Sequence, residues 1–296
     1  MESYVINLDR HPERWRHMVE TFGAEGLSPI RIAGVDGRRF RRDTRRMAAD
    51  GGYVMSRFEI ACVLSHRRAW RALVASGAPA AMVFEDDVHL GAGFAAFVAD
   101  PALLGLGFDL LHLETFWGRV LVDVGEGALL QGRRIARLLT THWGAAGYVV
   151  TRATAESLLQ KTRGAALPAD WLLFDAVCFT GMGFRVGQVI PAIVVQEQLR
   201  HGPAKDAGAL PSAISEDRGR PLGRKVKRRG LRRVLREMTR PIGQLGDLLG
   251  RLIMKVIDPA DRRPRANPTH PSPGLLEALR MRRRQPGIHR VLVTFR

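Results

Sequence analysis

Ala80-Ala81-Met82-Val83-Phe84 is an unbroken apolar run that passes directly into Glu85-Asp86-Asp87. A short continuous apolar run of this kind reads as a buried strand. Three adjacent carboxylates repel one another and cannot follow such a strand into a core. They are expected at the carboxyl edge of a sheet, where α/β folds bind ligands. The rest of the chain alternates around this strand. Tyr4–Leu8 is β-rich, and His11-Pro12-Glu13-Arg14 starts a helix with Pro in its first turn. Trp15, Met18, Val19 and Phe22 give that helix an apolar face. Strands are predicted over Pro29–Ala33, around Phe108–Leu113, over Trp143–Val150 and, as the last one, over Arg185–Ile190, with a hairpin region at 119–138. Helices are predicted over Glu59–Ala75, about 92–99, from a Thr151 cap to Leu159, and over Asp170–Phe179. Positions 38–52, Arg-rich and polar, read as a loop or a mobile helix. Strands alternating with helices predict an α/β fold with a mostly parallel sheet.

Charge divides the chain in two. Residues 220–296 carry 21 Lys and Arg against 5 Asp and Glu, net +16 of the total +17. Residues 1–219 are therefore an almost neutral body, and 220–296 a cationic appendage. The asymmetry speaks against a nucleic-acid binder, although the basic tail keeps that alternative in view, and asks for an anionic partner of the tail alone. Two cysteines, Cys62 and Cys178, are too few for a disulfide scaffold and fit a reducing compartment. The N-terminus lacks the basic start and apolar stretch of a signal peptide.

The candidate site residues follow from the sheet edge. Side-chain alternation places Glu85 and Asp87 on one face and Asp86 on the other. A hard divalent cation, Mn²⁺ or Mg²⁺, would neutralise the cluster and accept oxygens of a diphosphate. A solvated acidic helix start is the alternative. Asn7-Leu8-Asp9-Arg10 ends the first strand at the same edge, where Arg10 and Arg14 match phosphate oxygens, or Asp9 simply caps a surface helix. Ser65-His66 lies within the helix at 59–75, and Cys62 reads as core. Asp170 and Asp175 flank Trp171–Phe174, and either can serve as a general base. The alternative reading of Asp170 is a helix N-cap.

In order and spacing these pieces resemble glycosyltransferase family 25, which includes bacterial lipopolysaccharide and lipooligosaccharide glycosyltransferases and the collagen galactosyltransferase domain. Four segments carry the resemblance over about residues 3–216: Val5–Arg10 with Arg14, Glu59–His66, Phe84–Asp87, and Gly144–Tyr148 followed by Leu167–Asp170. The family often has Gly where Phe58 and Ala61 stand, and its later Ser-Ser-Ile-like segment appears as Pro211-Ser212-Ala213-Ile214.

The resemblance implies a GT-A-like fold with helices on both faces of the sheet. It also implies a UDP-sugar donor (galactose or glucose), a divalent metal and inversion at the anomeric carbon. On that reading Asp87, with Glu85, Asp86 and His201, holds the metal. Asn7, Asp9, Arg10, Arg14, Glu59, Ser65 and His66, with Glu85 and Asp86, serve the nucleotide sugar. Asp170, or else Asp175, is the base. A metal-dependent phosphohydrolase using the same carboxylates is the enzymatic alternative. Apolar residues from Leu231 to Ile257 recur at helical spacing behind a Lys/Arg cluster, with a kink expected at Pro241. Such a basic amphipathic helix predicts peripheral attachment to anionic lipid on the inner face of the cytoplasmic membrane, beside a lipid-linked or other glycan acceptor. Packing on the body or on a second subunit is the other reading of this helix. Residues 258–287, rich in Pro and Arg, read as linker.

Overall fold

The structure is a computed structural model and describes residues 1–40, 55–163, 167–202 and 287–295. The strands are β1 (Glu2–Asn7), β2 (Ile30–Ala33), β3 (Ala80–Glu85), β4 (Val88–Leu90), β5 (Leu110–His112), β6 (Arg119–Leu130), β7 (Arg133–Leu138), β8 (Gly147–Thr151), β9 (Val186–Ile190), β10 (Val194–Gln196) and β11 (Ile288–Leu292). The α-helices are α1 (Pro12–Ala24), α2 (Arg57–Ser76), α3 (Phe94–Ala99), α4 (Ala102–Gly105), α5 (Arg152–Lys161), α6 (Ala169–Phe174) and α7 (Ala176–Gly181).

Among the described residues, nine strands form one sheet in the order β11-β6-β7-β9-β5-β8-β3-β1-β2, and β4 pairs with β10 apart from it. The expected parallel character holds in the β2-β1-β3 block and in the β5–β9 pair. The other pairings are antiparallel, so the sheet is mixed. The β6–β7 hairpin and the reversed β8 account for this, since a tight turn can join only antiparallel strands.

The apolar run at 80–84 shows why both faces are covered. Ala81 and Val83 pack with Trp70, Leu73, Tyr148 and Phe174 on the α2 side. Ala80, Met82 and Phe84 pack with Met18, Phe22, Phe94 and Phe97 on the α1 side. Phe22, Phe84 and Phe94 meet edge to face, with centroids 5.3–6.0 Å apart, a geometry favoured by the ring quadrupoles. Pro12 opens α1 where its missing N–H is no loss. Ser56 and Glu59 form a capping box at the start of α2, and Gly77, at φ 74°, ends it in the left-handed region.

Three expectations are corrected. The single helix predicted over 170–179 is two, because the chain turns extended at Asp175 and that carboxylate caps α7. The strand closed by Pro191 is not the last: β10 and β11 follow. β11 pairs antiparallel with β6 along its whole length, so residues 288–292 belong to the body although the division at 219 places them in the appendage. The predicted basic amphipathic helix, the Pro/Arg-rich linker up to 286, and most of the Arg-rich 38–52 segment lie outside the described residues. No described helix is long and apolar enough to cross a membrane.

Candidate functional site

β1, β2 and β3 run parallel, so Asn7, the turn after Ala33 and Glu85-Asp86-Asp87 emerge at one edge. A cleft opens there, lined among others by Arg10, Arg14, Asp36, His66, Asp86 and Asp87. Another depression lies at the opposite end of β1, around Met1, Ala78 and Ala99, away from these groups.

The three carboxylates have three different surroundings. Asp86 has both oxygens engaged: Oδ2 accepts from Asn7 Nδ2 at 2.7 Å and Oδ1 from Arg14 at 3.0 Å. Asn7, buried, also donates to the His11 carbonyl and accepts from Arg31 Nε, so its amide is fixed on both sides. Asp86 therefore anchors Arg14 and the strand end. Arg14 also reaches Asp87 Oδ2 at 3.7 Å, while Asp87 Oδ1 is buried with no hydrogen-bond partner. Burial pushes the Asp87 carboxyl up to about 7, the negative charges of Glu85 and Asp86 add to this, and Arg14 opposes it. Glu85 turns toward α2, with Oε1 3.7 Å from Cys62 Sγ and 3.6 Å from His66 Nε2. The alternation predicted through Asp87 thus stops at Glu85, where β3 ends and the chain turns.

An orphaned, buried carboxylate oxygen beside two further acids fits a hard divalent cation. Asp87 is the residue that offers it. Asp86 is already committed to Asn7 and Arg14. His201 lies on an exposed turn after Leu199 and is outside the one cluster of three potential metal ligands among the described residues, Cys62, His66 and Glu85.

The remaining candidates divide by what they touch. Arg10 lines the cleft and pairs with Asp36 at 2.5 Å. Asp9 turns outward, is 65% exposed and pairs with Arg31, so the structure does not bring it to the cleft. The Glu59 carboxylate accepts the Ser56 amide at 2.7 Å, which is a capping role. Ser65 Oγ accepts the Val35 amide and donates to the Ala61 carbonyl, tying α2 to the loop after β2. His66 is fully buried, its Nδ1 3.0 Å from Tyr148 Oη.

Asp170 sits in the first turn of α6, not at its cap, which is Pro168. Burial raises its carboxyl to about 6, and the charges of Glu85 and Glu59 push the same way. Asp175 is spent on structure: it accepts the Val177 and Cys178 amides and the Thr141 hydroxyl. The two candidate bases thus separate, and Asp170 is the one whose environment suits proton transfer near neutrality.

Sequence reasoning missed Glu114. It is completely buried and accepts the Ala146 and Gly147 amides and the Gln196 side chain. Burial first, then the charge of Glu85, raises its carboxyl well above the usual range. The signal was present, since Glu114 follows the strand Phe108–Leu113 just as Glu85 ends its own. It also explains the glycine at 144, whose φ is 102° and where a Cβ would overlap Glu114 Oε1.

The model of Glycosyltransferase family 25 (LPS biosynthesis protein) matches residues 1–173. The chain belongs to glycosyltransferase family 25. It is 33% identical over 213 residues to the lacto-N-neotetraose biosynthesis glycosyltransferase LgtE of Neisseria meningitidis serogroup B, covering 67% of this chain and 74% of that one. It is 34% identical over 233 residues to LgtB of the same organism, covering 74% and 83%. Similarity extends to the lipooligosaccharide biosynthesis protein lic2B of Haemophilus influenzae, 32% identical over 145 residues, 47% of this chain and 54% of that protein. The family match spans β1, α2 and the carboxylate cluster, which line the cleft, and also Asp170.

Proposed function

We propose that this family 25 glycosyltransferase moves a hexose, galactose or glucose, from a UDP-sugar to a hydroxyl of a lipooligosaccharide or related glycan, with inversion and with a hard divalent cation. The observation that carries the reading is the division of labour among buried acids at the cleft and beside it. Asp87 presents an unpartnered oxygen, Asp86 is locked to Asn7 and Arg14, and Asp170 stands apart with its carboxyl raised to about 6. The names of the Neisseria and Haemophilus relatives support the acceptor class.

In this mechanism Arg14 and Arg10 face the donor diphosphate, and Asp86 and Asp36 hold the two guanidinium groups in place. Asp87 is the first oxygen ligand for Mn²⁺ or Mg²⁺, whose chemistry when bound is to neutralise charge on the departing diphosphate. Asp170 takes the proton of the acceptor hydroxyl as that oxygen forms its bond to the anomeric carbon and the bond to UDP breaks. Attack opposite the leaving group inverts the centre. The GT-A-like character of the sheet and attachment of the 220–286 segment to anionic lipid belong to the same proposal.

The test is turnover of a panel of nucleotide sugars by the full chain, with Mn²⁺ and with chelator, followed by UDP release. Metal-dependent, acceptor-dependent release from one UDP-hexose is expected. Acceptor-independent release would instead favour the phosphohydrolase. Binding of the full chain, but not of a full-length variant with Lys225, Lys227, Arg228, Arg229, Arg232, Arg233 and Arg236 changed to Gln, to vesicles rich in anionic lipid is expected. Equal binding by both would remove the membrane part.

A further inference from the structure

The cleft floor holds a second group of potential ligands that differs in chemistry from Asp87. Cys62 and His66 lie one turn apart on α2 and face Glu85 at the end of β3. Their donor atoms lie within 4.8 Å of one another. The Sγ–Oε1 separation is 3.7 Å and the Nε2–Oε1 separation 3.6 Å. A tetrahedral zinc ion with Zn–S of about 2.3 Å and Zn–N and Zn–O of about 2.0–2.1 Å has ligand–ligand edges of roughly 3.4–3.6 Å. The two edges to Glu85 therefore stand close to that spacing already, and the Cys62–His66 edge lies within 4.8 Å. The Nε2–Oε1 contact is too long for a hydrogen bond, whereas the Cys62 thiol donates to Glu85 Oε1.

The second observation is His66. Its side chain is 1% exposed, and Nε2, aimed at Glu85, has no hydrogen-bond partner. A buried ring nitrogen left unsatisfied is costly, so its persistence asks for a missing partner. The other nitrogen, Nδ1, is held 3.0 Å from Tyr148 Oη, which in turn accepts from Trp70 Nε1 at 2.9 Å. Tyr148 Oη can donate to Nδ1 or accept from it, and an ion at Nε2 would select the tautomer with the proton on Nδ1, given to Tyr148, so that the Nε2 lone pair points at the Cys62–Glu85 gap. A ligating histidine fixed through its second nitrogen is the usual arrangement at metal sites.

We propose that Cys62, His66 and Glu85 bind a thiophilic divalent cation, Zn²⁺, as three protein ligands with the fourth position open to the cleft. Cys62, His66 and Glu85 all line that cleft, which gives the ion its entry path. A thiolate and an imidazole select Zn²⁺ over Mg²⁺ or Mn²⁺, so this site and the Asp87 oxygen separate by softness. Bound there, the ion ties α2 to the end of β3. The proposal does not depend on the sugar-transfer reading.

The experiment is titration of chelator-stripped full-length protein with Co²⁺, reading the thiolate-to-cobalt charge-transfer absorption, followed by displacement with Zn²⁺. One equivalent is expected to give the band, and Zn²⁺ but not Mg²⁺ is expected to abolish it. Cys62→Ser should lose the band while keeping the native circular dichroism spectrum. Cys178→Ser and Asp87→Asn should keep it. Tyr148→Phe should weaken affinity about 10–100-fold, the effect typical of losing an outer hydrogen bond to a ligating histidine. Zn²⁺ at about a hundredfold excess over Kd should raise Tm by roughly 5–10 °C in the wild type and leave Cys62→Ser unchanged. A folded wild-type protein with no thiolate band, or a band that survives in Cys62→Ser, would overturn the proposal.

Discussion

Replacing Asp170 by Asn should abolish transfer and stabilise the protein at once. The carboxyl is raised to about 6 from an ordinary 3.8, with burial as the leading cause, so the folded state disfavours its charge. Because the folded-state value is the higher one, the folded protein binds more protons than the unfolded chain between pH 4 and 6. Stability attributable to this group is therefore greatest in acid and falls as pH rises through 6. Two units correspond to about 3 kcal/mol, an upper bound on what Asn should recover at pH 7. Asn keeps the oxygen that accepts the Trp171 amide at 3.0 Å, so the local fold survives. Loss of a general base lowers kcat by about 10²–10⁴. In the wild type the ionised fraction of a group at about 6 is roughly nine-tenths at pH 7 and one-eleventh at pH 5, so kcat/KM should fall about tenfold. An unshifted aspartate would leave that range nearly flat. The assays are hexose transfer as a function of pH and urea unfolding at pH 7. Full transfer activity in Asp170→Asn, or a flat wild-type profile between pH 5 and 7, would refute the assignment. Asp175→Ala provides the contrast, with a cap loss of about 1 kcal/mol and kcat retained.

Three further outcomes are expected. His112 and His142 share Gln188 in the core, and burial lowers them to about 3 and about 4. Both sit below their unfolded value near 6.5, so stability is intact above pH 6.5 and declines in acid. His142 alone should cost about 2 kcal/mol between pH 7 and 5, against the opposite trend of Asp170 and Asp87, and a His142→Gln variant whose urea midpoint shifts between the two pH values as the wild type's does would contradict this. Glu59→Ala or Ser56→Ala should lower stability by about 1 kcal/mol at the α2 cap while leaving donor KM unchanged, and a large KM increase would return Glu59 to the binding site. Gly144→Ala meets both a left-handed backbone and Glu114, and thermal unfolding should show a loss of at least about 2 kcal/mol. A melt equal to wild type would mean that Glu114 is free to move.

Much of this was legible because the strongest signals are local. The run at 80–84, Pro12, Thr151 and the hydrophobic spacing of α2 each act within a few residues, and each element formed where expected. Long-range pairing was not legible. Nothing near Ile288 reports that it will pair with Val120–Asp123, and the basic stretch before it argued for an appendage. Parallel against antiparallel order was lost for the same reason. In the site, residue types were readable but their duties were not. Glu59 reads as a ligand until Ser56 is seen beneath it, and Asp86 reads as a metal oxygen until Asn7, 79 positions away, is seen to hold it. Glu114 was overlooked because a lone acid after a strand looks exposed, and only the returning Gly144–Gly147 segment buries it.

Incubation of the full chain with a UDP-hexose, Mn²⁺ and a lipooligosaccharide acceptor, read by the mass of the acceptor and the anomeric configuration of the new linkage, tests the central claim most directly. The acceptor should gain one hexose with configuration opposite to that of the donor, and Asp87→Asn should prevent it. Consumption of the UDP-sugar with free hexose as the sole product, or an unmodified acceptor with every donor, would contradict the account.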